Sequence, residues 1–355
     1  MFPYLVLLGA PTAAAMMTVR RVGVLFFMIA ILFWLMIGLR FDVGPDWDNY
    51  LRIYNIEKDQ GFLQLETNME TGFGILMWFA SVTGGGIILV NLVSAAVFCW
   101  GIFTFAKKCY EPFLAVAIAT PYLAIVVAMS ATRQAISIGL VAFLFATWND
   151  RTLFARILLI LVASLFHLSA IFVLIFVALG ARISTTARVV AASLLGLLTL
   201  PLIVITSSRA DIYAARYIGA GAITSEGAFI HVAMVAVPAT AYLLMRNRWR
   251  AEFGPSAFLD VLAITPIVLL FATYFSPVAA DRMSLYFWPV VMFLGSGWPA
   301  LIQSQAGRIG FRLVVFFACF SLLIGWFYFA NHSKSYLPYQ NYVSKGETAP
   351  VSTRR

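Results

Sequence analysis

Apolar runs of about 20 residues recur along almost the whole chain, and this constrains the fold more than any other feature. A helix of that length crosses a hydrocarbon layer of ~30 Å, and at that depth the backbone polar groups must be satisfied internally. Of the 355 residues, 62% are hydrophobic and only 11% charged, so a soluble domain could not cover itself with polar surface. The chain therefore reads as an all-α polytopic membrane protein, one integral membrane unit over residues 1–355. It has no soluble domain, linker or internal repeat.

The net charge of +9 is not a nucleic-acid footprint, because the basic residues are dotted between the spans. Arg20 and Arg21, Lys107 and Lys108, Arg151 and Arg156, Arg182 and Arg188, Arg246, Arg248 and Arg250, and Arg308 and Arg312 mark six cytoplasmic turns under the positive-inside bias. The segment 40–70 holds seven acids against Arg40, Arg52 and Lys58, which places it outside. Cys99, Cys109 and Cys319 lie in or beside apolar spans and read as small hydrophobes. The first apolar run ends in Ala13, Ala14 and Ala15 like a signal peptide. Arg20 and Arg21 follow that run instead of preceding it, and a retained first helix is expected.

These anchors predict about ten spans, near 2–18, 22–39, 84–105, 112–130, 133–148, 189–206, 229–245, 257–275, 284–303 and 309–330. The stretch 153–180 would reverse the sidedness of Arg246, Arg248 and Arg250 if it crossed once. Splitting it at His167 into two short antiparallel helices that dip in and turn back restores every basic turn. Residues 71–82 then form an interfacial helix. The outer face holds 40–83, the turn at 130–134, the loop 207–228, the tip 276–283 and a tail over 331–355.

Chemistry must lie in the polar residues kept in this setting. Gly44, Pro45 and Asp46 suit a helix start, with Pro45 at the first helical position. Trp47, Tyr50, Leu51 and Tyr54 share one face, for the membrane surface or for packing. Asp46 is either a helix-start residue or a carboxylate able to take a hydroxyl proton. With Asp48 it also forms an acid-x-acid triplet, an incomplete metal set with no histidine or third acid nearby. No metal or other cofactor is expected. Arg133, within Ser130, Ala131, Thr132, Arg133 and Gln134, lies on the face where arginine is disfavoured, which points to an anion pocket rather than a snorkelling side chain. Arg282 repeats the logic, although Asp281 beside it permits a surface ion pair, and Arg209, Arg216 and Tyr217 add to the same face. His167 is the histidine deepest in an apolar run, either a hydrogen-bonded structural ring or a catalytic one. His231 and His332 lack that setting.

Together these pieces resemble the EpsG-type, Wzy-like O-antigen and exopolysaccharide polymerases. The resemblance rests on Arg40, Val43, Gly44, Pro45, Asp46 and Tyr50; Arg133 and Gln134; Phe166, His167, Ser169 and Ala170; Arg216 and Tyr217; Asp281 and Arg282; and Leu337, Pro338, Tyr339 and Asn341. Pro45 stands where family members more often carry threonine, and the C-terminal tail is longer. The resemblance implies a GT-C-like glycan polymerase or ligase architecture in the bacterial inner membrane. It also implies a metal-independent glycosyltransferase that moves a glycan from undecaprenyl diphosphate onto a sugar hydroxyl of another lipid-linked repeat unit. Other polysaccharide export proteins and membrane lipid would be its partners.

Residue chemistry fits independently. Arg40, Arg133, Gln134, Arg216, Arg282 and Tyr50 are candidates for binding diphosphate or substrate, and His167 or Asp46 for the base. A glycan ligase would use the same groups with another acceptor. A flippase would need charges inside the bundle and matched broken helices, and a membrane O-acyltransferase would draw its donor from the cytoplasm.

Overall fold

The computed structural model describes residues 1–17, 22–58, 70–179 and 227–345. The expected span at 189–206, nearly all of the loop 207–228, and Arg209, Arg216 and Tyr217 lie outside the described residues. Within them the chain is helical, apart from one isolated antiparallel bridge between Arg40 and Asn341.

The first half comprises α1 (Phe2–Met16), α2 (Val24–Gly38), α3 (Trp47–Glu57), α4 (Thr71–Val82), α5 (Gly86–Ala106), α6 (Pro112–Ala119), α7 (Thr132–Ala146) and α8 (Leu153–Ser164). After a break come a 3-10 turn over Leu168–Val173 and α9 (Leu174–Leu179), which returns alongside α8. The second half holds α10 (Ala228–Leu244), α11 (Arg246–Phe253), α12 (Ala257–Ala272), α13 (Pro277–Ser284), α14 (Trp288–Gly297), α15 (Gln305–Phe329) and the short α16 (Tyr342–Lys345). Helix α5 packs along both α2 and α7, α6 against α1 and α14, and α10 against α12.

Among the described residues, by length and composition α5 and α15 can each cross a membrane, and α10 with α11, bent by 79°, gives a third at most. Eight further apolar helices among the described residues have 10–17 residues, short of the roughly 20 that a straight crossing needs. The sequence suggests why several expected spans are interrupted. Pro121 lacks an N–H and opens α6 into a π-helical turn over Thr120–Val127. The expected span 284–303 is instead a 3-10 turn at Leu285–Phe287, then α14, then a 3-10 turn at Trp298–Leu301, with Pro289 and Pro299 at the starts of the last two. The stretch 153–180 breaks at residues 165–167, where the His167 expectation placed the split.

The core is aromatic and aliphatic, with Phe26 packed edge-on against Phe103 and Phe113, and Phe103 in turn against Phe33. Phe271, Tyr274, Phe275, Tyr328 and Phe329 project outward, as lipid-facing or interfacial side chains of a membrane protein do. One charge placement differs from expectation. Arg312 is no turn residue: it lies inside α15 and is buried, bound through Nε and NH2 to both oxygens of Glu111 at 2.9 and 2.6 Å. A two-pronged carboxylate partner offsets the cost of burying this guanidinium. The face of α3 serves packing: Trp47 and Tyr50 are buried with Phe73, Leu76 and Met77 of α4, and Leu51 and Tyr54 lie against them.

Candidate functional site

The polar residues gather at one end of the bundle, around the break in the chain at 165–167. Gly72 opens α4 close to that break. Its N–H donates to the Leu165 carbonyl at 2.8 Å, and a Cβ at this position would run into that same carbonyl. This close approach brings Glu70, the residue that begins α4, up to the break. Glu70 Oε1 accepts from the Leu168 N–H at 3.4 Å, and Oε2 accepts from Arg133 NH1 at 2.6 Å. The Arg133 guanidinium also lies 5.9 Å from the centre of the Tyr50 ring, and its buried Nε has no hydrogen-bond partner.

His167 has an extended backbone and begins the 3-10 turn, its Nδ1 accepting from the Ser169 N–H at 3.3 Å. The Ser169 hydroxyl lies 2.8 Å from the same nitrogen. The Ser169 N–H at Nδ1 and the Arg282 guanidinium at Nε2 can both only donate, and a neutral ring has one lone pair; the closer contact, at 3.3 Å against 3.5 Å, assigns it to Nδ1 and the ring proton to Nε2. Burial pushes the His167 pKa down; Glu70 acts to raise it, and Arg282 and Arg133 lower it again, leaving it at about 3. The ring is therefore neutral at physiological pH. Its Nε2 faces Arg282 NH1 at 3.5 Å. Both atoms carry protons, so this is a meeting of two donors that an oxygen acceptor would satisfy.

The surrounding bonds are rigid. Tyr286 OH lies 3.0 Å from both Ser169 Oγ and Ser137 Oγ, and Gln134 Nε2 donates to the Arg282 carbonyl at 2.9 Å. Ser137 stands one turn after Arg133 on α7, so a single helix face supports both the arginine and the hydroxyl chain.

A second group adjoins this one. Gly44, at φ 96°, donates its N–H to the Ser335 carbonyl at 2.9 Å, and a Cβ there would strike the Met129 carbonyl. That close approach puts Asp46 next to Ser130, whose hydroxyl donates to Asp46 Oδ2 at 3.0 Å. Asp46 makes no side-chain cap bond to α3, and the helix starts at Trp47 rather than at Pro45. Its carboxylate is thus not spent on the helix start. Arg40 is buried, donating through NH1 to the Ile37 carbonyl at 2.6 Å and through NH2 to Asn91 Oδ1 at 3.1 Å and Thr132 Oγ1 at 2.7 Å. The chain after α15 folds back over this segment: Phe41 N–H donates to Gln340, Tyr342 N–H to Leu39, and Tyr336 OH to Val126.

The structure therefore brings Arg133, Gln134, His167 and Arg282 together with Tyr50 beneath them, and holds Asp46 and Arg40 in the adjoining group. Arg216 lies outside the described residues. Asp281 faces His231, with Oδ1 3.1 Å from Nδ1, in place of the ion pair with Arg282 that the sequence permits. Sequence reasoning passed over Glu70 and Tyr286 and set His231 aside. Glu70 carried a legible signal, as the acid that closes the polar loop directly before an apolar helix. Tyr286 carried none, because it is a single polar group in an apolar run, and nothing local marked Asp281 as the partner of His231. Among the described residues no three His, Cys, Asp or Glu side chains stand close enough to hold a metal ion; Asp48 is exposed.

The EpsG family model matches residues 23–341, which include every residue of both groups. The chain belongs to the EpsG family. No curated protein and no solved structure matches this EpsG-family chain. The matched region begins just before α2 and ends at Asn341, whose bridge to Arg40 closes the C-terminal segment onto the first loop.

Proposed function

We propose that this EpsG-family membrane protein is a polysaccharide repeat-unit polymerase. It is a glycosyltransferase that moves a glycan from undecaprenyl diphosphate onto the sugar hydroxyl of another lipid-linked repeat unit. One observation carries this reading: Arg133, Arg282 and the Nε2–H of His167 converge from three distant parts of the chain as hydrogen-bond donors. A diphosphate leaving group gains charge as the anomeric C–O bond breaks, and donors fixed in advance stabilise that charge more than they stabilise the ground state. Arg133 grips Glu70 with NH1 and keeps a buried Nε unpaired, so an incoming phosphate oxygen has a donor to satisfy. The neutral His167 serves here as a donor, because Ser169 occupies its lone pair. The hydroxyl of the incoming sugar also needs a proton acceptor, which His167, its lone pair held by Ser169, does not supply. Catalysis is metal-independent on this reading, since the arginines supply the positive charge.

The site faces the outer side of the bacterial inner membrane. Lys107, Lys108, Arg151, Arg156, Arg246, Arg248 and Arg250 all lie at the far ends of α5, α7 and α10, supporting that orientation under the positive-inside bias. The native cysteines are buried, giving a clean background for labelling. Cysteine placed at the exposed Asp48 should react with an impermeant thiol reagent in intact cells, and cysteine at Arg248 should not. The reverse pattern would remove the outward site.

Purified protein given lipid-linked repeat units in excess chelator should build polymer. Arg133→Ala should stop elongation while the protein stays folded in the membrane. Arg133→Lys should also fail, because lysine keeps the charge and loses the forked grip on phosphate. In cells, deletion should leave single repeat units on the surface. Loss of all surface glycan would instead indicate a transporter, and full-length glycan lacking acyl groups an acyltransferase.

A further inference from the structure

Asp281 and Arg282 are neighbours on α13 and point about 100° apart, as successive helical residues do. Each meets a histidine: Arg282 meets His167, and Asp281 meets His231. The two rings carry opposite tautomers. In His167 the Ser169 N–H holds the lone pair at Nδ1 and leaves a proton on Nε2. In His231 a carboxylate oxygen 3.1 Å from Nδ1 fixes the proton there and leaves the lone pair on Nε2.

The His231 ring is also held in place. Its centre lies 4.7 Å from that of Tyr122, which stacks on Trp288 at 5.5 Å. The side chain is half-buried at 22% exposure, and the nearby Gly227 puts no side chain over Nε2. Other acceptors of the cluster already hold donors: the lone pair of His167 holds Ser169, both oxygens of Glu70 hold Arg133 and Leu168, and one oxygen of Asp46 holds Ser130.

We infer that His231, oriented by Asp281, takes the proton of the incoming sugar hydroxyl, an assignment that rests on the polymerase reading. The hydroxyl oxygen forms the new bond to the anomeric carbon as its proton passes to His231 Nε2. The bond from that carbon to the diphosphate oxygen breaks, and its electron pair leaves on the phosphate facing Arg133, Arg282 and His167. Asp281 stabilises the imidazolium, which then returns its proton to water. The donor and acceptor histidines thus sit on either side of one turn of α13, separating the leaving group from the nucleophile.

The test uses the purified full chain and a lipid-linked repeat unit. His231→Gln should lower kcat by about 10²–10⁴-fold, the usual worth of a positioned base, with KM unchanged. Added imidazole should restore part of the turnover of His231→Ala and none of that of Arg282→Ala. Asp281→Asn should lower kcat as well, because an amide does not fix the Nδ1 proton. Wild-type turnover in His231→Gln, or no imidazole rescue of folded His231→Ala, would overturn the assignment. If Arg282→Ala is dead while His231→Gln is normal, the polymerase reading survives and His231 leaves the mechanism. If wild type fails to extend the repeat unit at all, the polymerase reading falls and takes this role with it.

Discussion

The two ends of the helix bundle hold their charges differently. At the end marked by the basic turns, the buried carboxylates grip guanidiniums through both oxygens, although Arg250 also keeps a buried Nε unpaired. Arg312 is gripped by both oxygens of Glu111, while Asp260 takes Arg246 through two nitrogens, Arg250 at 2.7 Å and the Tyr242 hydroxyl at 2.8 Å. At the other end the guanidiniums are matched incompletely. Arg40 donates to a carbonyl, an amide and a hydroxyl and keeps a buried Nε unpaired. Arg133 has one carboxylate contact and an unpaired Nε, and Arg282 faces a ring nitrogen that carries a proton. Such grips neutralise charge and hold helices. An unpaired Nε occurs at both ends, but among the described residues Arg40 and Arg282 form no ion pair, and a guanidinium buried without one is costly unless a ligand satisfies it, so the difference separates an end that stabilises from an end that binds.

The sharpest way to break this contrast is to replace each pair with leucines. Glu70→Leu with Arg133→Leu should abolish elongation, whereas Glu111→Leu with Arg312→Leu should leave kcat intact and stability nearly unchanged, since a buried pair is often exchangeable for apolar packing. Polymer synthesis measured beside thermal unfolding in detergent decides it. Loss of activity in both double variants would mean that the ends are not separable.

Removing only one partner should reverse the stability order. Arg312→Ala leaves Glu111 buried and unpaired and should cost about 3–5 kcal/mol. Arg133→Ala should cost less, because its pair with Glu70 is partly exposed at 23% and 17%. Unfolding midpoints of the two variants would show this. A smaller effect tests the C-terminal segment: Tyr336→Phe removes the bond to the Val126 carbonyl and should cost about 1 kcal/mol.

A further effect, confined to acid pH, is a pH dependence. The folded-state pKa of His167 lies well below the ordinary histidine value, so the unfolded chain binds the extra proton first as pH falls. The stability linked to a neutral ring is therefore present above about pH 6.5 and lost progressively as pH drops toward about 3. His167→Gln should flatten that part of the unfolding profile. An unchanged profile would remove the buried neutral ring from the account.

Much of the site was legible in order but not in role. Arg133 stood out because arginine is disfavoured between outer apolar spans, and His167 because its span was awkward unless broken there. Asp46 was legible as a carboxylate near a helix start, yet its bond to Ser130 depends on Gly44 closing against Met129, which no local pattern announces. Arg312 looked like a turn residue because its partner Glu111 lies 201 positions away.

The sequence by itself determined the helical membrane class, the sparse polar segments and the family, because apolar run length and residue order are local properties of the chain. Only the tertiary structure decided that Glu70 pairs with Arg133, that His167 presents Nε2–H toward Arg282, and that His231 turns toward Asp281. Those roles rest on which ring nitrogen meets a donor and which carboxylate meets a guanidinium. Such choices are made by side chains converging from distant helices over a few ångströms, where hydrogen-bond direction and burial set the proton's position.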